Sequence, residues 1–390
     1  MIERNLAAVV AESARNYPIV TVTGPRQSGK TTLCRSVFPE KKYVSLEPFD
    51  VREYARRDPR GFLEEHRDGA IIDEVQHAPD LPGYLQVEVD RDPVHGRFVL
   101  TGSQHFGLTA AVSQSLAGRT AVLELLPLAL DELERFENHP SDLFDVMWQG
   151  AYPRIHDRGI PADRWLADYI TTYVQRDVRQ VLAVADLQAF TLFIRLAAGR
   201  TGQVLNTSAL AADCGVSHNT ARSWLSVLET GYLVRRLPAW HRNLRKRLTR
   251  SPKLHFLDSG LVCRLLGIAD PEQLRHHPLR GPIFESWVVA EILKHRVHRG
   301  LDPSLSYYRD SRQLEVDIVL ERAGELVLAE VKSGKTVATD AFGPLTELTR
   351  LVGRADGRPV LRRLIHGGDE SHTREGVMLV PWKNVPRIDW

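Results

Sequence analysis

The sequence predicts an α/β protein in three parts: a parallel-sheet domain, a mainly helical middle and a smaller C-terminal α/β domain. Three observations predict it. Short β-branched runs alternate with helical segments as far as about Glu137. From about Asn138 to Pro282 apolar residues recur at helical spacing. From about Ile283 a helix is followed by two strands close enough in sequence to pair as a hairpin. The expected boundaries are 1–137, 138–282 and 283–390. At 390 residues the chain exceeds the ~250–300 residues at which a single core stops growing.

The first strand, Ile19 to Thr23, runs into Gly24-Pro25-Arg26-Gln27-Ser28-Gly29-Lys30-Thr31, and Thr32 and Leu33 continue into a helix. This matches G-x-x-x-x-G-K-[ST] at every specified position. Gly24 and Gly29 let the backbone curl so that successive N–H groups face phosphate oxygens. The N-terminus of the following helix adds its positive dipole end. Lys30 is expected to reach the β- and γ-phosphates, and the Thr31 hydroxyl to ligate Mg²⁺. ATP with Mg²⁺ is the expected ligand of the stretch from Gly24 to Thr32.

Ala70-Ile71-Ile72-Asp73-Glu74 is a buried strand ending in two acids. Asp73 is expected to hold the Mg²⁺ shell and Glu74 to polarise the attacking water. A further strand, Arg97 to Thr101, ends in Gly102-Ser103-Gln104. Inserted between the other two strands, it would present Ser103 or Gln104 to the γ-phosphate as a sensor; a plain strand-ending turn is the alternative. A helix over 108–116 and a strand from Thr120 to Leu125 frame Arg119. That position suits an arginine finger acting on a neighbouring subunit's nucleotide, or a structural salt bridge.

In the middle part, Thr207 or Ser208 opens a helix, Asp213-Cys214-Gly215-Val216 makes a tight turn, and Ser217 caps a second helix with Ala221, Trp224, Leu225 and Leu228 inward. With strands at Tyr232–Leu237 and Leu254–Leu257 this predicts a winged helix. Ser217, His218, Asn219, Arg222 and Ser223 then face outward, suited to a major groove. Between the strands, Arg242, Arg245, Lys246, Arg247 and Arg250 form the strongest basic run of the chain, with no acid among them. Nucleic acid, with DNA favoured, is the expected partner; a protein or domain contact is the alternative. The overall charge of +2 does not by itself announce such a partner.

In the last part, Glu285 lies near the start of a helix, Asp317 in the strand Leu314–Leu320, and Glu330 and Lys332 in the strand Leu326–Lys332. Glu285, Asp317 and Glu330 offer the oxygen ligands of a Mg²⁺ ion for phosphodiester cleavage. Lys332, two residues from Glu330 and so on the same strand face, would stabilise the developing charge. The alternative is a nuclease-like fold whose acids are structural. Cys34, Cys214 and Cys263 are far apart, which argues against a zinc site or disulfide framework and fits a reducing cytoplasm. The N-terminus reads as an amphipathic helix without a signal-peptide layout, and no apolar stretch is long enough to span a membrane.

The residues GPRQSGKTT (24–32), AIIDEVQ (70–76), LTGSQ (100–104), SLAGR (115–119), YVQRD (173–177), SPKLHFLDSGL (251–261), FE (284–285), VD (316–317) and EVK (330–332) together resemble bacterial and archaeal AAA-type P-loop ATP-binding proteins. Their C-terminal domain of unknown function is similar to PD-(D/E)XK restriction-endonuclease-like folds. The likeness runs from about Leu6 to about Lys335, with Val316 where the nuclease pattern has Pro. It implies ATP binding, ATP hydrolysis and self-association through the ATPase domain. Two functions follow as expectations. One is an ATPase that remodels or processes nucleic acid, with the C-terminal domain cutting it. The other is an ATP-dependent switch or assembly protein that binds a partner protein or DNA and cuts nothing.

Overall fold

A computed structural model describes residues 2–103, 115–173, 187–241, 251–322 and 324–390. The expected helix over 108–116 lies almost wholly outside the described residues, as do Gln104 and the whole basic run Arg242, Arg245, Lys246, Arg247 and Arg250. The chain divides into two compact units. The first comprises Met1–Leu128, Thr230–Tyr232 and Val297–Leu301; the second comprises Ala129–Glu229, Leu233–Arg296 and Asp302–Trp390.

In chain order the first unit contains α1 (Ala7–Asn16), β1 (Ile19–Gly24), α2 (Lys30–Val37), β2 (Lys42–Ser45), α3 (Phe49–Arg57), α4 (Pro59–Glu65), β3 (Ala70–Asp73), α5 (Leu81–Arg91), β4 (Phe98–Ser103) and β5 (Thr120–Glu124). The five strands form one sheet in the order β2-β3-β4-β1-β5, with every pair parallel. β4 therefore lies between β1 and β3, as the sequence leads one to expect. Alternate residues of β1 feed different cores. Val20 and Val22 pack with Leu33, Cys34, Ile71, Val99 and Leu125 and with Leu6 and Val10. Ile19 joins Ile72, Phe98 and Leu100 against Phe62, Leu63, Leu81 and Leu85. Burial on both faces is why these strands read as continuous apolar runs. Pro59 is the first residue of α4, where no N–H is needed, and Asp58 Oδ1 caps that helix by accepting from Gly61 N at 2.9 Å.

The second unit begins with short helices α6 (Leu130–Leu133), α7 (Leu143–Gln149), α8 (Pro153–Arg158) and α9 (Ala162–Thr172), followed by α10 (Leu187–Ala198). Next come β6 (Gln203–Val204), α11 (Thr207–Asp213), α12 (His218–Thr230), β7 (Val234–Leu237) and β8 (Lys253–Phe256). β6, β8 and β7 form a three-stranded antiparallel sheet. After α13 (Ser259–Leu266) and α14 (Pro271–His276), the long helix α15 (Arg280–Val297) leads to β9 (Leu305–Arg309), β10 (Glu315–Arg322), β11 (Glu325–Lys332), α16 (Gly343–Asp356), β12 (Val360–His366), β13 (His372–Arg374) and β14 (Val377–Pro381). These strands make a mixed six-stranded sheet in the order β13-β14-β12-β11-β10-β9. α16 lies over one of its faces through Leu345, Leu348 and Val352 against Val319, Leu328 and Leu364. Among the described residues no helix is long and apolar enough to cross a membrane.

Candidate active site

The phosphate loop leaves β1 in a left-handed turn. Gly24 has φ +145°, and a Cβ there would stand 2.2 Å from the carbonyl oxygen of Leu125. Gln27 (φ 62°) and Gly29 (φ 93°) repeat the left-handed geometry, so the loop curls as the sequence requires. Pro25 and Ser28 are buried, Arg26 is half-buried, and Gln27 and Thr32 are exposed. Lys30 opens α2 and folds back into the loop, donating from Nζ to Gly24 O (3.1 Å) and Pro25 O (2.8 Å). Burial lowers its pKa to about 8, a fall that Glu74 and Asp73 partly offset. The ammonium is thus held by carbonyl oxygens inside the loop that phosphates would enter.

Asp73, at the end of β3, is bound by hydroxyls from three elements. Thr31 Oγ1 donates to Oδ2 at 2.9 Å, Tyr43 OH donates to the same oxygen at 2.8 Å, and Thr101 Oγ1 donates to Oδ1. Asp73 and Thr31 present hard oxygen donors side by side, the kind Mg²⁺ takes, so these residues fit a Mg²⁺ ion accompanying ATP. Burial and the bond to Asp73 push the Tyr43 phenol up to about 12, which keeps it a donor. Glu74 follows in the left-handed conformation (φ 57°), turning its side chain out of the line of the strand. Its carboxylate accepts from Gln76 Nε2, and the same Nε2 lies 3.3 Å from Ser103 Oγ. Gln76 therefore ties Glu74 at the tip of β3 to Ser103 at the tip of the neighbouring strand β4.

Arg119 is engaged in a different way. It makes a two-pronged ion pair with Asp90 of α5, Nε to Oδ1 at 2.5 Å and Nη2 to Oδ2 at 2.8 Å, and donates to Ala117 O. The pair pulls the Asp90 carboxyl below its usual range. Of the two roles open to Arg119, the structure describes the salt bridge.

Three residues that sequence reasoning passed over brace the loop from behind. Buried Arg4 donates to Ser28 O (2.7 Å) and Leu126 O (2.9 Å), joining the phosphate loop to the end of β5. His298 Nε2 accepts from Leu126 N at 3.1 Å, and Tyr232 OH donates to Thr23 Oγ1 at 3.0 Å. No local motif marks them; their distance along the chain hides them. Arg4→Ala strips two buried carbonyls of a charged donor and is expected to cost about 1–3 kcal/mol of stability, read as a lowered denaturation midpoint together with weaker ATP binding.

A second cluster sits in the other unit. Glu285 lies in the second turn of α15, not near its start, because the helix begins at Arg280 and accommodates Pro282 in its first turn. Asp317 stands where the pairing of β10 with β9 shifts register between Val316 and Val319. The expected acids do approach one another, but around a lysine. Lys253 of β8 is 2% exposed, and its Nζ lies 2.9 Å from Glu285 Oε1, 2.6 Å from Glu315 Oε1 and 3.3 Å from Asp317 Oδ1. Asp317 Oδ2 accepts from Val331 N at 3.0 Å, and Lys332 Nζ donates to Glu330 Oε1 at 2.6 Å. Burial would lower the Lys253 pKa, but Glu285, Asp317 and Glu315 outweigh it and raise it. Burial, reinforced by Asp317, lifts Glu330 to about 8 and Glu285 well above its usual range. His255, buried beside them, is pushed down to about 3, first by burial and then by Lys253, and is neutral. Among the described residues no group of three or more His, Cys, Asp or Glu is arranged to hold a metal ion. Of the acids the sequence leads one to expect around Mg²⁺, Glu285 and Asp317 are bound instead to the Lys253 ammonium and Glu330 to that of Lys332.

In the same unit, α11 and α12 are joined by a turn in which Gly215 takes φ +66° and Val216 N donates back to Ala211 O at 3.0 Å. Ser217 Oγ caps α12 by accepting from Thr220 N at 3.1 Å. Ala221, Trp224, Leu225 and Leu228 are buried, with Phe190 and Phe193 edge-on to Trp224. Ser217, His218, Asn219, Arg222 and Ser223 are exposed. The antiparallel pair β7–β8 follows, its two strands flanking the basic run in sequence.

Residues 16–134 match a family model described as an AAA domain. Residues 140–272 and 280–385 match two models described as domains of unknown function (DUF8612 and DUF4143). Over 344 residues the chain is 34% identical to "Uncharacterized protein Rv2008c" of Mycobacterium tuberculosis and to "Uncharacterized protein Mb2031c" of Mycobacterium bovis, covering 85% of this chain and 74% of each relative. Among solved structures, the Walker-type ATPase PABY2304 of Pyrococcus abyssi shares 15% identity over 67% of this chain and 94% of its own, with a TM-score of 0.44. PCH-2 of C. elegans shares 13% over 63% of this chain and 68% of its own, with a TM-score of 0.24.

Proposed function

This chain belongs to the family of the two mycobacterial proteins and carries an AAA-type P-loop ATPase domain, and on that premise we propose that it binds Mg-ATP between Gly24 and Thr32 and hydrolyses it to act on nucleic acid. One observation carries the hydrolytic part: Lys30, Thr31, Asp73, Glu74 and Ser103 gather at the carboxyl ends of the adjacent parallel strands β1, β4 and β3. Lys30 leaves the Gly24 and Pro25 carbonyls for the phosphates. Thr31 and Asp73 would hold the Mg²⁺ ion, whose charge would offset that of the phosphates. Glu74 accepts the proton of the attacking water, and Ser103 contacts the γ-phosphate.

For the nucleic-acid part, the α11–α12 pair followed by β7 and β8 supports a winged helix. Arg222 lies on its exposed face, and the basic run Arg242, Arg245, Lys246, Arg247 and Arg250 lies between the strands. DNA is the favoured partner, and self-association goes through the ATPase domain. If the five residues of the run each neutralise one phosphate, log K falls against log salt with a slope of roughly −4 to −5. Fluorescence-polarisation titrations of a DNA duplex across salt concentrations test this. Replacing the run by glutamines is expected to flatten the slope toward zero, and an unchanged slope would sink the assignment.

A second reading concerns the C-terminal unit and is favoured by the Lys253 ammonium among Glu285, Glu315 and Asp317. On it, the nuclease-like domain cuts no strand, and ATP turnover switches an assembly on DNA or on a partner protein.

A further inference from the structure

The acid cluster of the second unit has the composition of a metal site and the wiring of an ion pair. An ammonium has three donors, and Lys253 spends them on Glu285, Glu315 and Asp317, at 2.9, 2.6 and 3.3 Å. Its side chain is 2% exposed, and the Tyr307 ring closes over it at 5.5 Å. Both Asp317 oxygens are engaged, Oδ1 by Lys253 and Oδ2 by Val331 N. A divalent ion at this point would have to displace Lys253, and stripping a buried ammonium of its partners is strongly unfavourable.

Two buried atoms show what the cluster would become without the lysine. Glu330 Oε2 and His255 Nε2 are buried and have no hydrogen-bond partner. His255 Nε2 lies 3.9 Å from Glu285 Oε1, and its ring is held by Nδ1 at 3.0 Å from Ser286 Oγ, which is itself 2.8 Å from Thr201 Oγ1. A ring nitrogen of a neutral imidazole and a carboxyl oxygen of Glu330, both buried without a hydrogen-bond partner, therefore belong to the same cluster.

We propose that Lys253 is a tethered cation that takes the place of a divalent metal ion in this domain, so that the cluster holds the fold together and binds no Mg²⁺. The cation comes from β8, in the three-stranded sheet, and not from the β10–β11 hairpin that carries two of the acids. Lys253 thereby fastens β8 to α15 and β10 through charge, where a nuclease site would fasten them through an exchangeable ion. Removing the charge while keeping the volume leaves the carboxyl oxygens of Glu285, Glu315 and Asp317 without their cation, open to a hard divalent ion. This inference rests on the non-cutting reading of the domain.

The test uses the full chain, free of nucleotide, with Mn²⁺ uptake followed by loss of the free-ion electron paramagnetic resonance signal. Wild type and Asp317→Ala are expected to take up Mn²⁺ equally, since any ion at the phosphate loop is common to both. Lys253→Met is expected to take up an additional ion that Lys253→Met/Asp317→Ala does not. An Asp317-dependent ion in the wild type, or a folded Lys253→Met that gains none, overturns the proposal. Circular dichroism melts establish folding, with Lys253→Ala as the second variant, and the wild-type comparison decides even if neither variant folds. A parallel incubation with plasmid and single-stranded DNA in Mg²⁺ or Mn²⁺ separates the two readings. Cleavage by wild type that Asp317→Ala abolishes overturns the non-cutting reading itself. Mn²⁺ uptake without cleavage overturns only the role given to Lys253.

Discussion

Glu74→Gln is expected to bind ATP as the wild type does and to turn it over about 10²–10⁴-fold more slowly, the range a positioned general base contributes. The substitution keeps the shape of the side chain and removes the proton acceptor. The ligands of Mg²⁺ and phosphate are untouched: Asp73 keeps its bonds from Thr31, Tyr43 and Thr101, and Lys30 keeps its place in the loop. Lys30→Ala is the contrasting variant and is expected to lose ATP binding itself. Equilibrium binding of a fluorescent ATP analogue and single-turnover phosphate release distinguish the two. Equal turnover in wild type and Glu74→Gln would assign the base elsewhere.

Gly24→Ala carries the largest expected loss of stability. At φ +145° an L side chain is strained, and the new Cβ would meet Leu125 O at 2.2 Å and Leu125 C at 3.0 Å. Neither atom is free to yield, because Leu125 N donates to Thr23 O at 2.8 Å and so holds the end of β5 against β1. The combined strain and overlap are expected to cost about 3 kcal/mol or more, seen as a lowered denaturation midpoint and loss of ATP binding. Gly29→Ala is the control: its Cβ would meet only Arg4 Nη1, at 3.5 Å. A Gly24→Ala protein with a wild-type midpoint would remove the packing argument.

What was legible in the sequence was what is local. The phosphate loop and the Asp73-Glu74 pair are contiguous patterns in which backbone geometry, helix start and ligand chemistry fall within a few residues. The parallel sheet was equally open, because strands buried on both faces announce themselves as apolar runs. Tyr43, Thr101 and Gln76 were not legible as partners of Asp73 and Glu74: a tyrosine, a threonine and a glutamine carry no signal until strand order brings them together. Gln76 offered the nearest hint, two residues beyond the acids. The C-terminal acids were found by type and order, but spacing along a chain cannot say which cation stands among them, and the Lys253 ammonium beside Glu285 and Asp317 was not foreseen. Lys253 lay inside the recognised run at 251–261, but it reaches Glu285, Glu315 and Asp317 only through the packing of β8 on α15 and β10. For Arg119, the sequence could not choose between a finger and a salt bridge, since its partner Asp90 lies in α5, 29 residues back along the chain.

The first unit is completed by segments made late in synthesis. Leu126 N finds its acceptor in His298, 172 residues further along the chain, and Thr23 beside the phosphate loop finds its donor in Tyr232. At about 5–20 residues per second, the ribosome needs about 10–35 s to carry the nascent chain from one partner of the Leu126–His298 bond to the other. Throughout that interval the Leu126 N–H, just past β5, lacks its native acceptor. The nucleotide site therefore matures only after most of the second unit has been made, and an ATPase fragment cut at the end of the AAA match would omit part of its own brace.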